Sequence, residues 1–239
     1  MESLKKGTPI EFLIDFQKYS IFYNIFMKTA IVLGASGLVG TELTKQLLEN
    51  PAYEKVLILV RKEIHLQHPK LVQHCIDFDN FAKYANLIQG DDAFCCLGTT
   101  MKIAGSKEAF YKVDYEYVNN FARLAFQNGV KHFAMISAMG ANANSLVYYN
   151  RVKGEIEKTV SAYRFHATYI CRPAMLLGNR AEKRIGEEIG MTIGNIFGFL
   201  IPNKYKNIEA AQVAKAMIKL VLQGSLGLYH IESDQLQKF

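Results

Sequence analysis

The sequence predicts an α/β fold in which a doubly wound parallel sheet is covered by helices on both faces. Three observations support this prediction. Short apolar runs rich in β-branched residues recur, helical patterns alternate with them, and no linker rich in proline, glycine or serine divides the pattern. Regular alternation of strand and helix is typical of βαβ units, whose parallel strands are buried on both faces. We therefore expect one domain built from three layers.

The elements follow one another in a regular order. The predicted strands are Thr29–Leu33, Val56–Val60, Leu71–Ile76, Ala93–Leu97, His132–Ser137 and Ala167–Cys171, each an apolar run of strand length. The predicted helices are Leu38–Glu49, Lys107–Gln127, Tyr149–Val160 and Glu209–Gln223, each with apolar residues at helical spacing. Asn50-Pro51 and Asn128-Gly129 are the residues that end the first two helices.

Charge and hydropathy limit the classes of function. The chain has 239 residues and a formal charge of +6, and its basic residues are scattered rather than massed in one segment. Scattered charge favours a solvated surface with a site for a phosphorylated ligand over nucleic-acid binding. Since no apolar run reaches the roughly 18 residues of a membrane-spanning helix, we expect no transmembrane segment.

Cysteines and histidines give no sign of a metal site. The chain has four cysteines, Cys75, Cys95, Cys96 and Cys171, all in apolar runs and without C-x-x-C spacing. This usage indicates small buried thiols in a reducing cytoplasm. His65 and His68 lie in a polar linker without a cluster of further ligands, so we expect no metal there.

Residues 1–26 stand apart from the alternating pattern, which is complete from Met27 onward. Acidic and polar residues interrupt their apolar stretch, which argues against a signal peptide. A start codon placed too early or an amphipathic segment packed on the body is favoured, and a helix for a partner or membrane surface is the third alternative. The domain is expected to span 27–239, with a small substrate-side region around 178–207.

A glycine-rich loop joins the first strand to the first helix. Gly34, Gly37 and Gly40 give the spacing G-x-x-G-x-x-G. Glycines at this point allow a tight turn, let backbone amides approach a pyrophosphate and permit close packing of helix on sheet. The helix N-terminus adds partial positive charge that favours the anion. The loop therefore predicts a Rossmann-type dinucleotide-binding fold.

Two cations follow the second strand. An NAD-selective site carries an acidic residue at this place for the ribose 2′-hydroxyl, whereas this chain has Arg61 and Lys62. A guanidinium can bind a 2′-phosphate through two parallel hydrogen bonds. The pair predicts NADP(H) as the cofactor.

Tyr149 and Lys153 are spaced to form a proton-transfer pair. A free tyrosine hydroxyl has a pKa of about 10, and a nearby ammonium lowers that pKa by stabilising the phenolate. Residues four apart share one face of a helix, so Tyr149 meets Lys153 while Tyr148 points about 100° away. Tyr149 is the predicted acid/base, and Tyr148 is a packing residue or pocket wall.

These features together resemble the short-chain dehydrogenase/reductase superfamily. A finer resemblance, from about Met27 to the C-terminus, is to its atypical branch and the Tat-interacting oxidoreductase family. It rests on CCLGTT (95–100), VDYEYV (113–118), KHFAMISAMGA (131–141), YNRVKGEIE (149–157) and CRPAMLLGNR (171–180).

The resemblance implies a role for each part of the site. The residues implied are Gly34, Ser36, Gly37, Leu38 and Val39 for the pyrophosphate, Arg61 and Lys62 for the 2′-phosphate, Asp77 and Phe78 for the adenine, and Leu97, Gly98 and Thr99 for the adenosine ribose side. Arg172 and Pro173 would support the nicotinamide, and Lys153 would also bind its ribose. The segment 180–206 would lie over the substrate cleft, as a lid for a hydrophobic substrate or packed on the body.

The superfamily also places a serine beyond the fifth strand to bind the substrate carbonyl. Alignment by the strand puts Ser137 at the strand end and Ala138 where the catalytic hydroxyl is expected, and a shift of one residue gives the role to Ser137. Loss of one such donor typically costs about 10²–10³ in rate. Asn142 and Asn144 are the substitute donors if Ala138 holds that place.

We expect an NADPH-dependent oxidoreductase that acts on a small carbonyl or alcohol in the cytoplasm, as a monomer or homodimer. Its partners would be a small-molecule substrate and possible protein partners, without nucleic acid. The Ala138 departure keeps open an NADP(H)-binding regulatory or scaffold protein, and a nucleotide-sugar epimerase or dehydratase is the further alternative.

Overall fold

A parallel sheet forms the centre of the computed structural model, which describes residues 27–178 and 206–239. Its strands are β1 Lys28–Leu33, β2 Tyr53–Val60, β3 Leu71–Cys75, β4 Asp92–Cys95, β5 His132–Ile136, β6 Ala167–Arg172 and, after two short strands, β9 Gly227–Glu232. The strand order is β3-β2-β1-β4-β5-β6-β9, with every neighbouring pair parallel. The short strands, β7 Leu176–Leu177 and β8 Ile208–Glu209, pair with each other.

Helices cover both faces of this sheet. They are α1 Leu38–Glu49, a 3₁₀-helix at Phe78–Leu87, α2 Met101–Ala104, α3 Lys107–Tyr111, a π-helical turn at Lys112–Glu116, α4 Tyr117–Gln127, α5 Tyr148–Ala162, α6 Ala210–Gln223 and α7 Ser233–Leu236. In the described ranges, none of them is long and apolar enough to cross a membrane.

Two apolar layers fix which side each helix occupies. On one face α1 and α6 pack against the sheet through residues such as Leu43 and Met217. On the other face α4 and α5 contribute Phe121 and Ile156. Alternate side chains of each strand enter the two layers. The predicted doubly wound, three-layer α/β fold is therefore confirmed.

The sheet changes winding direction between β1 and β4. The chain moves outward from β1 to β2 and β3, then returns to the other side of β1 with β4 and continues outward through β5 and β6. Connections on the two sides of this point cover opposite faces, which leaves a crevice beyond the carboxyl ends of the strands. Ligands of open α/β sheets bind in such a crevice.

A buried carboxylate links four strands at their amino-terminal ends, on the side of the sheet away from the crevice. Asp92, at the start of β4, is fully buried. It accepts hydrogen bonds from the Tyr53 hydroxyl at 2.7 Å and from Lys28 Nζ at 3.0 Å. His132 Nδ1 lies 2.6 Å from its other oxygen. Burial and the neighbouring carboxylate raise the pKa of Tyr53 far above its usual value, so this phenol stays a neutral donor. The cluster ties β1, β2, β4 and β5 together.

Some sequence predictions differ from the structure in detail. The second strand begins at Tyr53, three residues before the predicted Val56. The prediction started late because Glu54 and Lys55 are charged and exposed, which interrupts the apolar pattern at the start of the strand. The helix predicted at Lys107–Gln127 is present but contains the π-helical turn. Strand β9 was not predicted, since only one of its residues is buried and the apolar signal is weak.

The prediction that all four cysteines are buried is wrong for one of them. Cys75 ends β3 and is exposed, because β3 is at the edge of the sheet that the described residues form. Cys95 and Cys171 are buried, and Cys96 is partly buried. All four are free thiols. The extension 1–26 and nearly all of the predicted substrate-side region lie outside the described residues.

Candidate functional site

The glycine loop lies against the end of β4. Gly34 has φ +87°, and a Cβ added to it would lie 2.5 Å from the backbone nitrogen of Leu97. A Cβ on Gly40 would lie 2.0 Å from the carbonyl oxygen of Gly34. Only glycine fits at either position, since the first also requires a left-handed backbone. The two residues bring α1 and the β4 loop together at the crevice.

The first turn of α1 is suited to an anion. Gly37 is the N-cap and supplies no side-chain acceptor, and the turn contains no acidic residue. The amides of Leu38 and Val39 are therefore not capped by a side chain, while Ser36 and Gly37 are exposed beside them. Uncapped amides and the helix dipole favour a phosphate group at this place. The residues present fit a dinucleotide pyrophosphate.

Arg61 and Lys62 lie directly after β2, the strand that pairs with β1. Both side chains are exposed, and neither forms an ion pair with a carboxylate in the described part of the chain. They are therefore free to meet an anionic ligand at the same edge of the sheet as the glycine loop.

Asp77 and Phe78 have local structural contacts. Asp77 caps the 3₁₀-helix, because its carboxylate accepts hydrogen bonds from the Asn80 amide at 2.6 Å and from the Asp79 backbone at 2.9 Å. These bonds lower the pKa of Asp77. Phe78 is buried and packs against Phe81 and Tyr117. Any adenine contact at this point would use the exposed Asp77 and the surrounding backbone.

The β4 loop, the π-helical turn and α5 meet at one ion pair. Lys153 is 4% exposed, and its Nζ lies 2.7 Å from Oδ1 of the fully buried Asp114. The other oxygen of Asp114 accepts the backbone N–H of Thr99 at 2.8 Å. A Cβ on Gly98 would lie 3.5 Å from Lys153 Nζ, so the ammonium touches the loop that contains Leu97, Gly98 and Thr99. Burial lowers the pKa of Lys153, but Asp114 and Tyr149 outweigh it and raise that pKa overall.

The two adjacent tyrosines of α5 have different surroundings. The Tyr148 hydroxyl donates to the carbonyl of Lys107 at 2.9 Å, and the cations of Lys107 and Arg151 each lie 5.4 Å from the centre of its ring. Tyr149 is one turn before Lys153 and packs its ring against Phe110, with centroids 5.4 Å apart. Tyr148 is therefore fixed to the body by its hydroxyl, whereas Tyr149 is the tyrosine beside the lysine.

Ser137 follows β5 on the face that bears α5. Phe133 and Met135, four and two residues earlier, lie in the same apolar layer as Ile156 of α5. By alternation Ser137 continues that face, and Ala138 does not. The Ser137 hydroxyl is buried, with no hydrogen-bond partner among the described residues. A buried hydroxyl of this kind is costly unless a ligand or water completes it.

The loop after Ser137 is seated on α5. Asn142 donates its backbone N–H to the carbonyl of Asn150 at 2.9 Å. A Cβ on Gly154 would lie 2.1 Å from the backbone nitrogen of Ala143, so glycine is required for this contact. The side-chain oxygen of Asn142 accepts the Asn144 N–H in a local turn. This bond engages the acceptor oxygen of the amide and not its Nδ2, the atom that would donate to a carbonyl, so Asn142 stays a predicted substitute donor.

Arg172 is held by carboxylates at the end of β6. Its Nε donates to Glu157 at 2.9 Å and Nη1 donates to Glu232 at 3.1 Å, while Nη2 also pairs with Glu157. Pro173 is buried, and its carbonyl accepts the N–H of Met139 at 3.4 Å. The guanidinium is thus engaged within the protein, and support for a nicotinamide from this segment would come through its backbone and Pro173.

Sequence reasoning missed two charged residues of this region, Asp114 and Glu157. Asp114 lies in the motif VDYEYV, but its burial depends on the π-helical turn, which has no sequence signal of its own. Glu157 is four residues after Lys153, so it lies on the face of α5 that carries Tyr149 and Lys153. Tyr149, Lys153 and Glu157 follow one another at intervals of four residues. This spacing on one helix face could have predicted that Glu157 belongs to the site.

Comparison with known proteins decides the family. A family model described as NAD(P)H-binding matches residues 34–224. Protein HTATIP2 of Rattus norvegicus is 36% identical over 206 residues, which are 83% of each chain. The chain belongs to the NAD(P)H-binding, atypical short-chain dehydrogenase/reductase family. The predicted family and a nicotinamide cofactor are thereby confirmed.

Two further comparisons concern location and fold. FMP52 of Candida albicans is 33% identical to this chain, over 83% of this chain and 90% of that one, and is named a mitochondrial protein. The prediction of a cytoplasmic location is wrong by this finding. Among solved structures, UDP-glucose 4-epimerase from Thermotoga maritima matches with a TM-score of 0.66 at 16% identity, over 88% of this chain and 80% of that one. At that identity the match supports the fold alone.

Proposed function

We propose that this protein is an NADPH-dependent oxidoreductase that transfers hydride to or from a small carbonyl or alcohol. The observation that carries the proposal is the arrangement at the end of β5 and the start of α5. Tyr149 stands one helical turn from a buried lysine that is ion-paired with Asp114. The Ser137 hydroxyl has no hydrogen-bond partner among the described residues, and strand alternation assigns it to the face that α5 covers. A proton donor and a hydrogen-bond donor beside a nucleotide crevice are what carbonyl reduction requires.

The chain's own residues would divide the work among them. Amides 36–39 would hold the pyrophosphate, and Arg61 and Lys62 would bind a 2′-phosphate. The cofactor, when bound, supplies or accepts the hydride. Tyr149 would deliver a proton to the carbonyl oxygen or remove one from an alcohol, and Lys153 would lower the cost of the phenolate. Lys153 is also the candidate to bind the nicotinamide ribose.

Ser137 is proposed as the second donor to the carbonyl oxygen. Its hydroxyl has no partner in the described part of the structure, and strand alternation directs it to the side of Tyr149. Under this assignment Ser137 is the hydroxyl donor to the substrate carbonyl, a role that Ala138 could not perform because it has no hydroxyl. The two hydroxyls would then polarise one oxygen from two directions, which stabilises the charge that develops there.

The test measures binding and turnover separately. NADPH is titrated by its fluorescence, and its oxidation is then followed across a panel of aldehydes, ketones and quinones. Tyr149→Phe is expected to bind NADPH as the wild type does and to lose about 10²–10⁴ of the rate, the usual contribution of a positioned acid/base. The matched variant Tyr148→Phe removes the neighbouring hydroxyl and is expected to lose less than about tenfold, since only a bond to a backbone carbonyl is lost.

The outcomes separate the alternatives. Turnover unchanged in Tyr149→Phe contradicts the catalytic assignment. Tight NADPH binding without turnover of any compound favours the regulatory or scaffold role instead, and absence of binding contradicts both. We also propose a mitochondrial location on the names of the fungal relatives, which fractionation of cells that express the tagged protein would test.

A further inference from the structure

A fully buried carboxylate lies beside the proposed proton-transfer pair. Asp114 belongs to the π-helical turn between α3 and α4 and is 0% exposed. Its two oxygens bind different elements, with Lys153 Nζ of α5 at 2.7 Å and the Thr99 N–H of the β4 loop at 2.8 Å. π-helical turns inside α-helices occur frequently at functional sites.

We infer that Asp114 is a positioning residue that keeps Lys153 charged and holds its ammonium against the β4 loop, beside Tyr149. The inference deepens the proposed function and rests on it for its kinetic consequence. Its structural basis is independent of turnover, because the ion pair and its burial belong to the folded protein itself.

Burial is the reason that Lys153 needs this partner. A buried ammonium without a counter-ion shifts towards its neutral form, because a low-dielectric interior disfavours charge. The groups that face Lys153 are Asp114 from the π-helical turn, Tyr149 from its own helix and Cys95 from β4. Burial raises the pKa of the Cys95 thiol to about 12, so that thiol is neutral at physiological pH. Asp114 is thus the fixed negative charge among these groups.

The same carboxylate places the ammonium. With one oxygen on Thr99 and the other on Lys153, Asp114 fixes the distance between the β4 loop and α5. Gly98 lies between them. A Cβ on Gly98 would lie 3.2 Å from Asp114 Oδ1 and 3.5 Å from Lys153 Nζ, so the carboxylate would have to move by a few tenths of an ångström to admit it. Lys153 therefore serves as a constant charge rather than as a proton carrier, and Tyr149 is the group whose proton moves.

The first test measures stability against pH in the whole protein. Asp114→Asn keeps the shape of the side chain and an acceptor for Thr99, but removes the charge. In the wild type the pKa of Lys153 is raised, so its stabilisation is present below the unfolded pKa of about 10.4 and is lost only as pH rises through the folded value. In Asp114→Asn the largest opposing interaction is removed, so we expect burial to prevail and to lower the pKa of Lys153. The variant then becomes more stable as pH rises towards 10.

The expected result is a gap in stability that depends on pH. We compare the unfolding constant of the variant with that of the wild type as pH rises from 6.5 to 10. Their ratio should fall over this range by about tenfold for each unit by which the folded pKa of Lys153 in the variant lies below its unfolded pKa. The double variant Asp114→Asn/Lys153→Met has no ammonium to titrate, so its difference from the wild type should stay constant over the same range. A gap that is independent of pH in Asp114→Asn would overturn the inference and leave Asp114 a structural residue.

The second test uses the rate of NADPH oxidation against pH. Asp114→Asn should show loss of activity on the alkaline side, at a pH about 1–3 units below any such loss in the wild type, which is the usual effect of an opposite charge at this distance. Activity near pH 6 should be largely kept. Asp92→Asn removes the charge of a buried carboxylate at the amino-terminal ends of the strands, away from Lys153. It should leave the pH at which activity is lost on the alkaline side unchanged.

The two tests fail in different ways. An unchanged alkaline limb in Asp114→Asn contradicts the inference even if Tyr149 is the acid/base. If the wild type oxidises NADPH with no compound, the proposed function fails, and the stability test still decides whether Asp114 keeps Lys153 charged.

Discussion

Gly154→Ala is predicted to destabilise the protein although it lies in the middle of a helix. In α5 a Cβ on Gly154 would lie 2.1 Å from the backbone nitrogen of Ala143 and 2.2 Å from the carbonyl carbon of Asn142. Both atoms belong to the backbone of the loop that follows Ser137. That loop is fixed to α5 by the bond from the Asn142 N–H to the Asn150 carbonyl, at 2.9 Å.

Two opposing effects set the magnitude. Alanine in a helix interior is favoured over glycine by about 0.8–1 kcal/mol. Carbon atoms in favourable contact are about 3.5–4.0 Å apart, so the loop would have to move by more than about 1 Å. Forced overpacking costs about 1–3 kcal/mol, and more where the obstacle is backbone. Because moving the loop also strains the Asn142–Asn150 bond, we expect a net loss of about 2 kcal/mol.

Thermal and urea unfolding of the purified protein measure this loss. For a chain of this size about 2 kcal/mol lowers the melting temperature by roughly 4–8 °C. Lys158→Ala is the control on the same helix, since its side chain is exposed and its effect should stay within about 0.5 kcal/mol. A Gly154→Ala protein more stable than the wild type, as helix propensity alone predicts, would refute the packing of this loop on α5.

Three further predictions concern other parts of the molecule. Alkylation of the native protein at pH 8 should label exposed Cys75 well before Cys95 and Cys171. Burial raises the pKa of each of the latter two thiols to about 12, which leaves about one in ten thousand as the reactive thiolate. Equal labelling rates, measured by mass spectrometry, would contradict this burial. Arg61→Ala should weaken NADPH binding by about 10- to 100-fold and leave NADH binding nearly unchanged, and an equal loss for both nucleotides in the fluorescence titration would count against a 2′-phosphate contact. Glu157→Gln should lower the free energy of unfolding by about 1–3 kcal/mol, because it weakens the pair with Arg172 while Glu232 still contacts that guanidinium; an unchanged urea midpoint would show that the pair contributes little.

The sequence predicted the parts of this protein that depend on local pattern. Leu38–Glu49 has the predicted bounds, because its apolar spacing, the glycine loop before it and Asn50-Pro51 after it all agree. Gly34 and Gly40 were predicted from a nucleotide-binding pattern, and the structure adds the close backbone contacts that only glycine permits. In both cases the cause lies within a few residues along the chain.

The parts that were missed depend on contacts between distant segments. The burial of Asp114 requires the π-helical turn and the arrival of Lys153 from α5, which lies about forty residues later in the chain. The sequence left the serine position open between Ser137 and Ala138, and strand alternation beyond Phe133 and Met135 favours Ser137 for the α5 side. Strand β9 is an exposed edge strand, held by pairing with β6 rather than by an apolar pattern of its own.

A crystal structure of the protein with NADP⁺ tests the central claim most directly. We predict the pyrophosphate on the amides of residues 36–39, the 2′-phosphate within hydrogen-bond distance of Arg61 or Lys62, and the nicotinamide ring beside Tyr149 and Lys153. A nucleotide bound away from the glycine loop, or a nicotinamide directed away from Tyr149, would contradict the account.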